Sequence, residues 1–243
     1  MNARLPDPLP SLDARQPLGQ IAVQLPGATA VFRRLKLDFC CGGQVSLAQA
    51  AADKGLDLPA LIDELSALRR TGARPDPEMP TGALIDHLIA RYHEVHRAQL
   101  PELVRMARRV EAVHREHSQV PAGLADALEA AQEDLLLHMQ KEERVLFPML
   151  QAGGHTFAGP PIAMMRAEHT EHGDTLESLA RLTHQMTPPE GACNTWRALY
   201  AGIAQFRDDL IEHIHLENNV LFPRFDGAGT ESGPCAGTAC GCH

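Results

Sequence analysis

The sequence predicts an all-α protein: a small helical module followed by an antiparallel four-helix bundle. Three observations lead there. Aromatic residues make up 4% of the chain against 44% hydrophobic residues, and Ala, Leu, Glu and Arg, all strong helix formers, are abundant. Apolar residues recur at three- and four-residue steps through four long segments, separated by Pro- and Gly-rich breaks. One stretch is also written twice. His138-Met-Gln-Lys-Glu142-Glu-Arg-Val-Leu-Phe-Pro148 returns 75 residues later as His213-Ile-His-Leu-Glu217-Asn-Asn-Val-Leu-Phe-Pro223.

Residues 1–15 are Pro-rich and carry no helical pattern. Residues 16–72 form the small module. Ala28 to Leu35 is one helix, stopped at Asp38-Phe39-Cys40-Cys41-Gly42-Gly43, where the glycine pair supplies turn conformations. Ser46 caps the next helix, Leu47 to Lys54, and Gly55 ends it. Leu58 to Arg70 comes next, with Leu58, Leu61, Ile62, Leu65 and Leu68 on one face. Residues 71–82 read as a linker by composition. The bundle occupies 83–224, with helices over about 83–117, 122–147, 161–186 and 194–222; Pro101 is a candidate bend in the first. Residues 225–243 revert to Gly, Ala and Cys and are expected to be a disordered tail.

Twenty-two basic residues face 31 acidic ones, a formal net charge of −9. No basic field is available for nucleic acid. The N-terminus has no apolar signal region, and no apolar run approaches the ~20 residues of a membrane helix. The expected compartment is the cytoplasm. Six cysteines in a chain of 243 residues do not suggest a disulfide framework.

The histidines carry the chemistry. On a helix, residues four apart share a face. The second bundle helix has a seam of Leu128, Ala131, Leu135, His138, Glu142 and Val145; the fourth has Leu199, Ile203, Phe206, Leu210, His213, Glu217 and Val220. Both seams are apolar except at the His and Glu, so two imidazoles and two carboxylates point into the core. Burying such carboxylates among apolar neighbours costs several kcal/mol each, and a bound cation offsets that cost. On the third helix, Ile162, Met165, His169, His172, Leu176 and Leu179 form a seam in which both histidines face inward, and spacing does not choose between them. On the first, His87, His93 and His96 cannot all face inward on an α-helix. One histidine from each of these helices completes four His and two Glu, enough for two metals. Imidazole with carboxylate and no thiolate suits non-haem iron, then manganese or zinc. The Glu-x-x-His spacing of ferritin-like sites occurs at Glu111/His114 and Glu212/His215, without repeat context and, for the second pair, off the seam.

Residues 83–223 resemble a haemerythrin-like domain, and 16–223 as a whole resemble the iron–sulfur cluster repair di-iron (RIC) family. The matching pieces are Gln16-Pro-Leu-Gly, Asp38-Phe-Cys-Cys-Gly-Gly43, Ile85-Asp-His87, Arg91-Tyr-His93, His138-x3-Glu142-Glu143, Glu168-His169, Thr187-Pro-Pro and His213-x3-Glu217-Asn-Asn-Val-Leu-Phe-Pro. The resemblance implies that the ligands are His87, His138, Glu142, His169, His213 and Glu217, and that two non-haem irons are bridged by Glu142 and Glu217, with an oxo bridge. It selects His169 on the third helix and leaves His172 as an extra inward histidine. Glu168 and His172 become candidates for proton handling. The implied function is repair of iron–sulfur clusters damaged by nitric oxide or oxidants, by supplying iron to damaged proteins or to cluster scaffold proteins. The alternatives are reduction of nitric oxide to nitrous oxide at the diferrous site, and binding or sensing of nitric oxide or oxygen. Either a monomer or a homodimer is compatible with this.

Cys40 and Cys41 are adjacent, with Cα atoms ~3.8 Å apart, below the usual disulfide range. They read as two free thiols that relay electrons or metal, or meet a partner. Cys235, Cys240, Cys242 and His243 in the tail match no standard zinc spacing.

Overall fold

The computed structural model describes residues 12–25, 27–68, 79–154 and 157–226. Residues 71–78 of the linker and the tail with Cys235, Cys240, Cys242 and His243 lie outside the described residues. Among the described residues there is no strand, and no helix is long and apolar enough to cross a membrane.

Four short helices build the N-terminal module: α1 (Leu18–Gln24), α2 (Ala28–Arg34), α3 (Leu47–Asp53) and α4 (Leu58–Leu68). Ser46 caps α3 by accepting the Gln49 N–H at 3.2 Å, and Gly55 ends it at a φ of +63°, a left-handed conformation that costs glycine little. Leu18, Ile21, Phe32, Phe39, Leu47 and Leu65 form the module's core. The module rests on the last bundle helix through Ile211, through an Arg33–Glu212 ion pair at 3.1 Å and through Phe39 against the His215 ring.

The bundle is made of α5 (Thr81–Leu88) with α6 (Glu94–Val113), α7 (Leu124–Lys141) with α8 (Phe147–Gln151), α9 (Gly159–Leu182) and α10 (Asn194–Leu216). Each long helix packs against two others: α6 on α7 and α10, α9 on α7 and α10. This ring is the antiparallel four-helix bundle expected from the breaks in the pattern. Pro101 lies within α6, which runs through it.

Three of the four helical rods are interrupted by one wide turn of π-helix, at Ile89–His93, Glu142–Leu146 and Glu217–Leu221. In each, the N–H that closes the turn reaches back five residues: Glu94 to Ile89, Phe147 to Glu142, Phe222 to Glu217. Pro148 and Pro223 stand just after two of them, and a proline cannot donate to the carbonyl four residues back. The wide turn absorbs one residue and shifts the phase of the helix downstream. Hence the expected inward position of Val145 is not met, and that of Val220 is met only in part. Val145 is exposed and Val220 half-buried, while Leu146, Phe147, Leu221 and Phe222 fill the core.

Two apolar cores flank the middle of the bundle. One holds Leu100, Leu128, Leu135, Trp196, Ile203 and Phe206; the other holds Leu84, Tyr92, Phe147, Leu150, Met165 and Phe222. Between them lies a layer of buried histidines and glutamates.

Candidate metal centre

The polar layer consists of His93 from the first rod, His138 and Glu142 from the second, His169 from α9, and His213 and Glu217 from the fourth. All six are at most 1% exposed. Their donor atoms fall into two groups that share the carboxylates: His93, His213, Glu142 and Glu217, and His138, His169, Glu142 and Glu217. All three wide turns touch the layer, since His93 ends the first and Glu142 and Glu217 begin the others.

His138, Glu142, His213 and Glu217 are therefore brought together as the spacing indicates, with His169 as the resemblance implies. His87 is not. It is exposed on α5, with its ring edge against Tyr92 at 5.9 Å, and belongs to neither group. The position expected of it is filled by His93. Spacing leaves the three histidines open and His87 rests on the family resemblance; the wide turn at Ile89–His93 ends on His93 and seats it in the layer. One sequence signal could have found His93: His93-x2-His96 repeats the spacing of His169-x2-His172, and all four side chains are buried.

Partners outside the layer fix the imidazoles. His93 Nδ1 meets Glu143 Oε1 at 2.6 Å, His138 Nδ1 meets Glu168 Oε2 at 2.8 Å, and His169 Nδ1 meets Asn218 Oδ1 at 2.9 Å. Carboxylates and amide oxygens accept, so each Nδ1 carries the proton and each Nε2 presents a lone pair. The Asn218 amide is held the right way round because its Nδ2 donates to the Cys40 carbonyl at 3.0 Å. Glu168 thus faces His138 from outside the layer and is ion-paired with Lys141. That places it as an orienting group for the imidazole. Asn218 and Glu143 were not singled out by the pattern, which marks the inner face of a helix and not the residue beside it.

The Nε2 atoms of His138 and His169 lie 3.1 Å apart, lone pair facing lone pair. His93 and His213 Nε2 are 3.0 Å apart. Glu217 Oε1 is 3.1 Å from His213 Nε2, and its Oε2 is 3.1 Å from His169 Nε2. One Glu142 oxygen is 3.5 Å from both His93 and His138 Nε2, and neither of its oxygens has a hydrogen-bond partner. Two ligands at about 2.1 Å from one ion and at right angles stand about 3.0 Å apart. The separations fit the edges of a coordination shell, and the orphaned carboxylate and opposed lone pairs are groups that a cation would satisfy.

Electrostatics agree. Burial and the neighbouring His213 push His93 down to about 4, and burial and His169 push His138 down to about 2. These rings are neutral, as ligands must be. Burial and the Glu217 carboxylate raise Glu142 well above the usual range. Burial opposes ionisation of Glu217 as well, but His213 and His169 outweigh it and hold that carboxyl well below the usual range. Two carboxylates this close do not both ionise without a counter-charge.

Two further histidines border the layer. His172 stands edge-on to His138, with centroids 4.8 Å apart, and its buried Nε2 has no partner. His96 lies 5.6 Å from the His213 ring, with both nitrogens unpartnered.

A buried imidazole–carboxylate cluster at the middle of a four-helix bundle defines a helical-bundle cation-binding protein. The chain belongs to the haemerythrin HHE cation-binding family, whose model matches residues 84–225, and a domain of unknown function (DUF542) matches residues 14–69. It is 50% identical over 214 residues to the iron–sulfur cluster repair protein YtfE of Dickeya chrysanthemi (strain Ech1591), covering 86% of this chain and 96% of that protein. The YtfE of Yersinia pseudotuberculosis serotype IB (strain PB1/+) is 53% identical over 211 residues, with the same coverage. That of Pectobacterium carotovorum subsp. carotovorum (strain PC1) is 50% identical over 215 residues, again covering 86% of this chain and 96% of its own.

Proposed function

We propose that this is a di-iron protein of the cytoplasm that repairs damaged iron–sulfur clusters by supplying iron. The observation that carries the metal is the pair of fixed Nε2 lone pairs of His138 and His169, opposed at 3.1 Å. The repair role is supported by the name borne by relatives at 50–53% identity over most of the chain.

His93 and His213 would hold one iron, His138 and His169 the other, and Glu142 and Glu217 would bridge them. Bound there, iron supplies a redox-active, ligand-binding and exchangeable centre. The protein's own part is to present four imidazoles, to supply the carboxylate charge, and to keep water out with Phe147 and Phe222 against the rings. His93 is stacked on Phe147 at 5.6 Å, and His169 on Phe222 at 6.0 Å. Without thiolates, imidazole and carboxylate hold ferrous iron less tightly than a cysteine cage does, which suits release. Cys40, whose carbonyl is one amide removed from His169 through Asn218, and Cys41, whose thiol meets the His169 carbonyl, would take part in that release.

The test is repair itself. Iron-loaded protein, incubated with a cluster enzyme inactivated by nitric oxide, is expected to restore its activity while losing iron. Unrestored activity would sink the reading. Multiple-turnover formation of nitrous oxide by the diferrous protein, with iron retained, would favour nitric oxide reduction over iron supply.

A further inference from the structure

The loop between α2 and α3 assembles a second, smaller set of donors. Cys40 Sγ and Cys41 Sγ are 3.7 Å apart, far beyond a disulfide bond, and Cys40 Sγ is 3.4 Å from Asp38 Oδ1. All three donor atoms lie within 4.8 Å of one another. A tetrahedral ion with sulfur at about 2.3 Å and a carboxylate oxygen at about 2.0 Å sets its S···S edge near 3.8 Å and its S···O edge near 3.5 Å. Both separations in the loop fall within ~0.1 Å of those edges.

The loop is built to hold that geometry. Asp38 Oδ1 accepts the Cys41 N–H at 3.0 Å, and its Oδ2 accepts the Gly42 N–H at 2.8 Å, which orients the carboxylate as outer partners orient metal ligands. A Cβ on Gly42 would meet Asp38 Oδ2 at 2.8 Å, and one on Gly43 would meet the Phe39 carbonyl at 2.6 Å, so side chains larger than hydrogen would open the loop. From the bundle, Asn219 Nδ2 donates to the Phe39 carbonyl at 3.1 Å, and Asn218 Nδ2 to that of Cys40. The thiols open onto a cavity of about 420 Å³ lined also by Gln44, Arg166, Thr170 and Asp226. That leaves room for a fourth, exchangeable ligand. Cys41 Sγ faces the His169 carbonyl at 3.5 Å, so the loop touches the backbone of a residue in the bundle centre.

We propose that Asp38, Cys40 and Cys41 form a mononuclear thiolate–carboxylate site for a thiophilic divalent cation such as ferrous iron, separate from the bundle centre and adjoining it. Binding replaces the two thiol protons, which leave to solvent, and the fourth position faces the cavity. The close Cys41 thiol, burial and the Asp38 carboxylate all hold the Cys40 thiol protonated in the free protein, and a cation supplies the missing counter-charge. Cation binding does not depend on the repair reading; the use of this site as a way station for iron leaving the bundle rests on it.

The experiment uses the full chain carrying Cys235→Ser, Cys240→Ser and Cys242→Ser, with the bundle centre already loaded with iron. Cobalt(II) is titrated in anaerobically as the probe. The expected result is one bound equivalent, with thiolate-to-cobalt charge-transfer absorption and the intense visible bands of tetrahedral cobalt. Cys40→Ser and Cys41→Ser are each expected to abolish the charge-transfer signal while bundle iron is retained. Asp38→Asn should weaken binding tenfold or more. No thiolate band in the parent protein, or the same band in the Cys40→Ser/Cys41→Ser double variant, would overturn the site. Affinity unchanged by Asp38→Asn would overturn the three-ligand assignment. A cobalt band with no cluster repair would count against iron supply and leave the site standing.

Discussion

Replacing His93 and, separately, His87 by alanine separates the ligand set that the structure supports from the one that the family resemblance implied. His93 is wholly buried, its Nε2 is 3.0 Å from His213 Nε2, and its Nδ1 is held by Glu143 at 2.6 Å. Loss of an outer partner of a metal ligand already weakens binding about 10–100-fold. Loss of the ligand itself removes a direct bond and leaves the first ion with His213 and the two carboxylates. The expected effect on that ion exceeds 100-fold, or about 2.7 kcal/mol at roughly 1.4 kcal/mol per decade. The variant also loses a buried ring stacked on Phe147, a cavity cost of about 2–4 kcal/mol before any metal is considered. His87 is exposed and makes one edge contact with Tyr92; its removal should change stability by less than about 1 kcal/mol and iron content not at all. Iron per chain and the ferric absorption spectrum, measured on both variants after identical reconstitution, decide the matter. Two irons in the His93→Ala protein, or a deficit in the His87→Ala protein with His93 intact, would refute the assignment.

Three other expectations rest on the same geometry. Glu142→Ala or Glu217→Ala should lose most bound iron, since each carboxylate lies between both imidazole pairs; full occupancy in either variant, by metal analysis, would show that it does not bridge. Asn218→Ala removes the acceptor on His169 Nδ1 and should lower iron affinity about 10–100-fold in a chelator competition, and an unchanged affinity would show that the amide does not orient the ring. His215, on α10 and buried against Phe39, is pushed down to about 4 by burial. The unfolded chain binds this proton below about 6.5 and the folded chain only below about 4, so stability falls as pH drops through that window, by at most about 3 kcal/mol from this group. The gap between denaturant midpoints at pH 7 and pH 5 should therefore narrow in a His215→Phe variant without closing, because His93 and His138 are pushed down as well, and an undiminished gap would place the acid sensitivity with those rings.

Much of the bundle was legible because burial imposes a period on the sequence. On α9 the buried residues are Ile162, Met165, His169, His172, Leu176 and Leu179, the seam read from three- and four-residue steps. The repeated His-x3-Glu worked for a similar reason: in both copies the histidine closes an ordinary helix and the glutamate opens the wide turn, so the spacing between them is still helical. The reading failed beyond such turns. His93 ends one such turn, and Val145 and Leu146 lie inside another, where counting by 3.6 no longer gives direction. Asn218 was invisible for a different reason. An amide that orients an imidazole from the side leaves no apolar pattern, and its role emerges only when His169 and the Cys40 carbonyl are seen on either side of it.

The wide turn at Glu142–Leu146 also makes the bundle sensitive to length. Such a turn holds one residue more than an α-helix would need to cover the same rise. Deleting a single residue between Arg144 and Leu146 would let the rod close as ordinary helix, with the residues downstream keeping their direction. Phe147 and Leu150 would keep their place in the core, but Glu142 would lose the wide turn that it opens. Most substitutions at exposed Val145 should pass unnoticed, but removing that residue should not. The segment spells its function partly in how many residues it has, a quantity to which a comparison of residue types is blind.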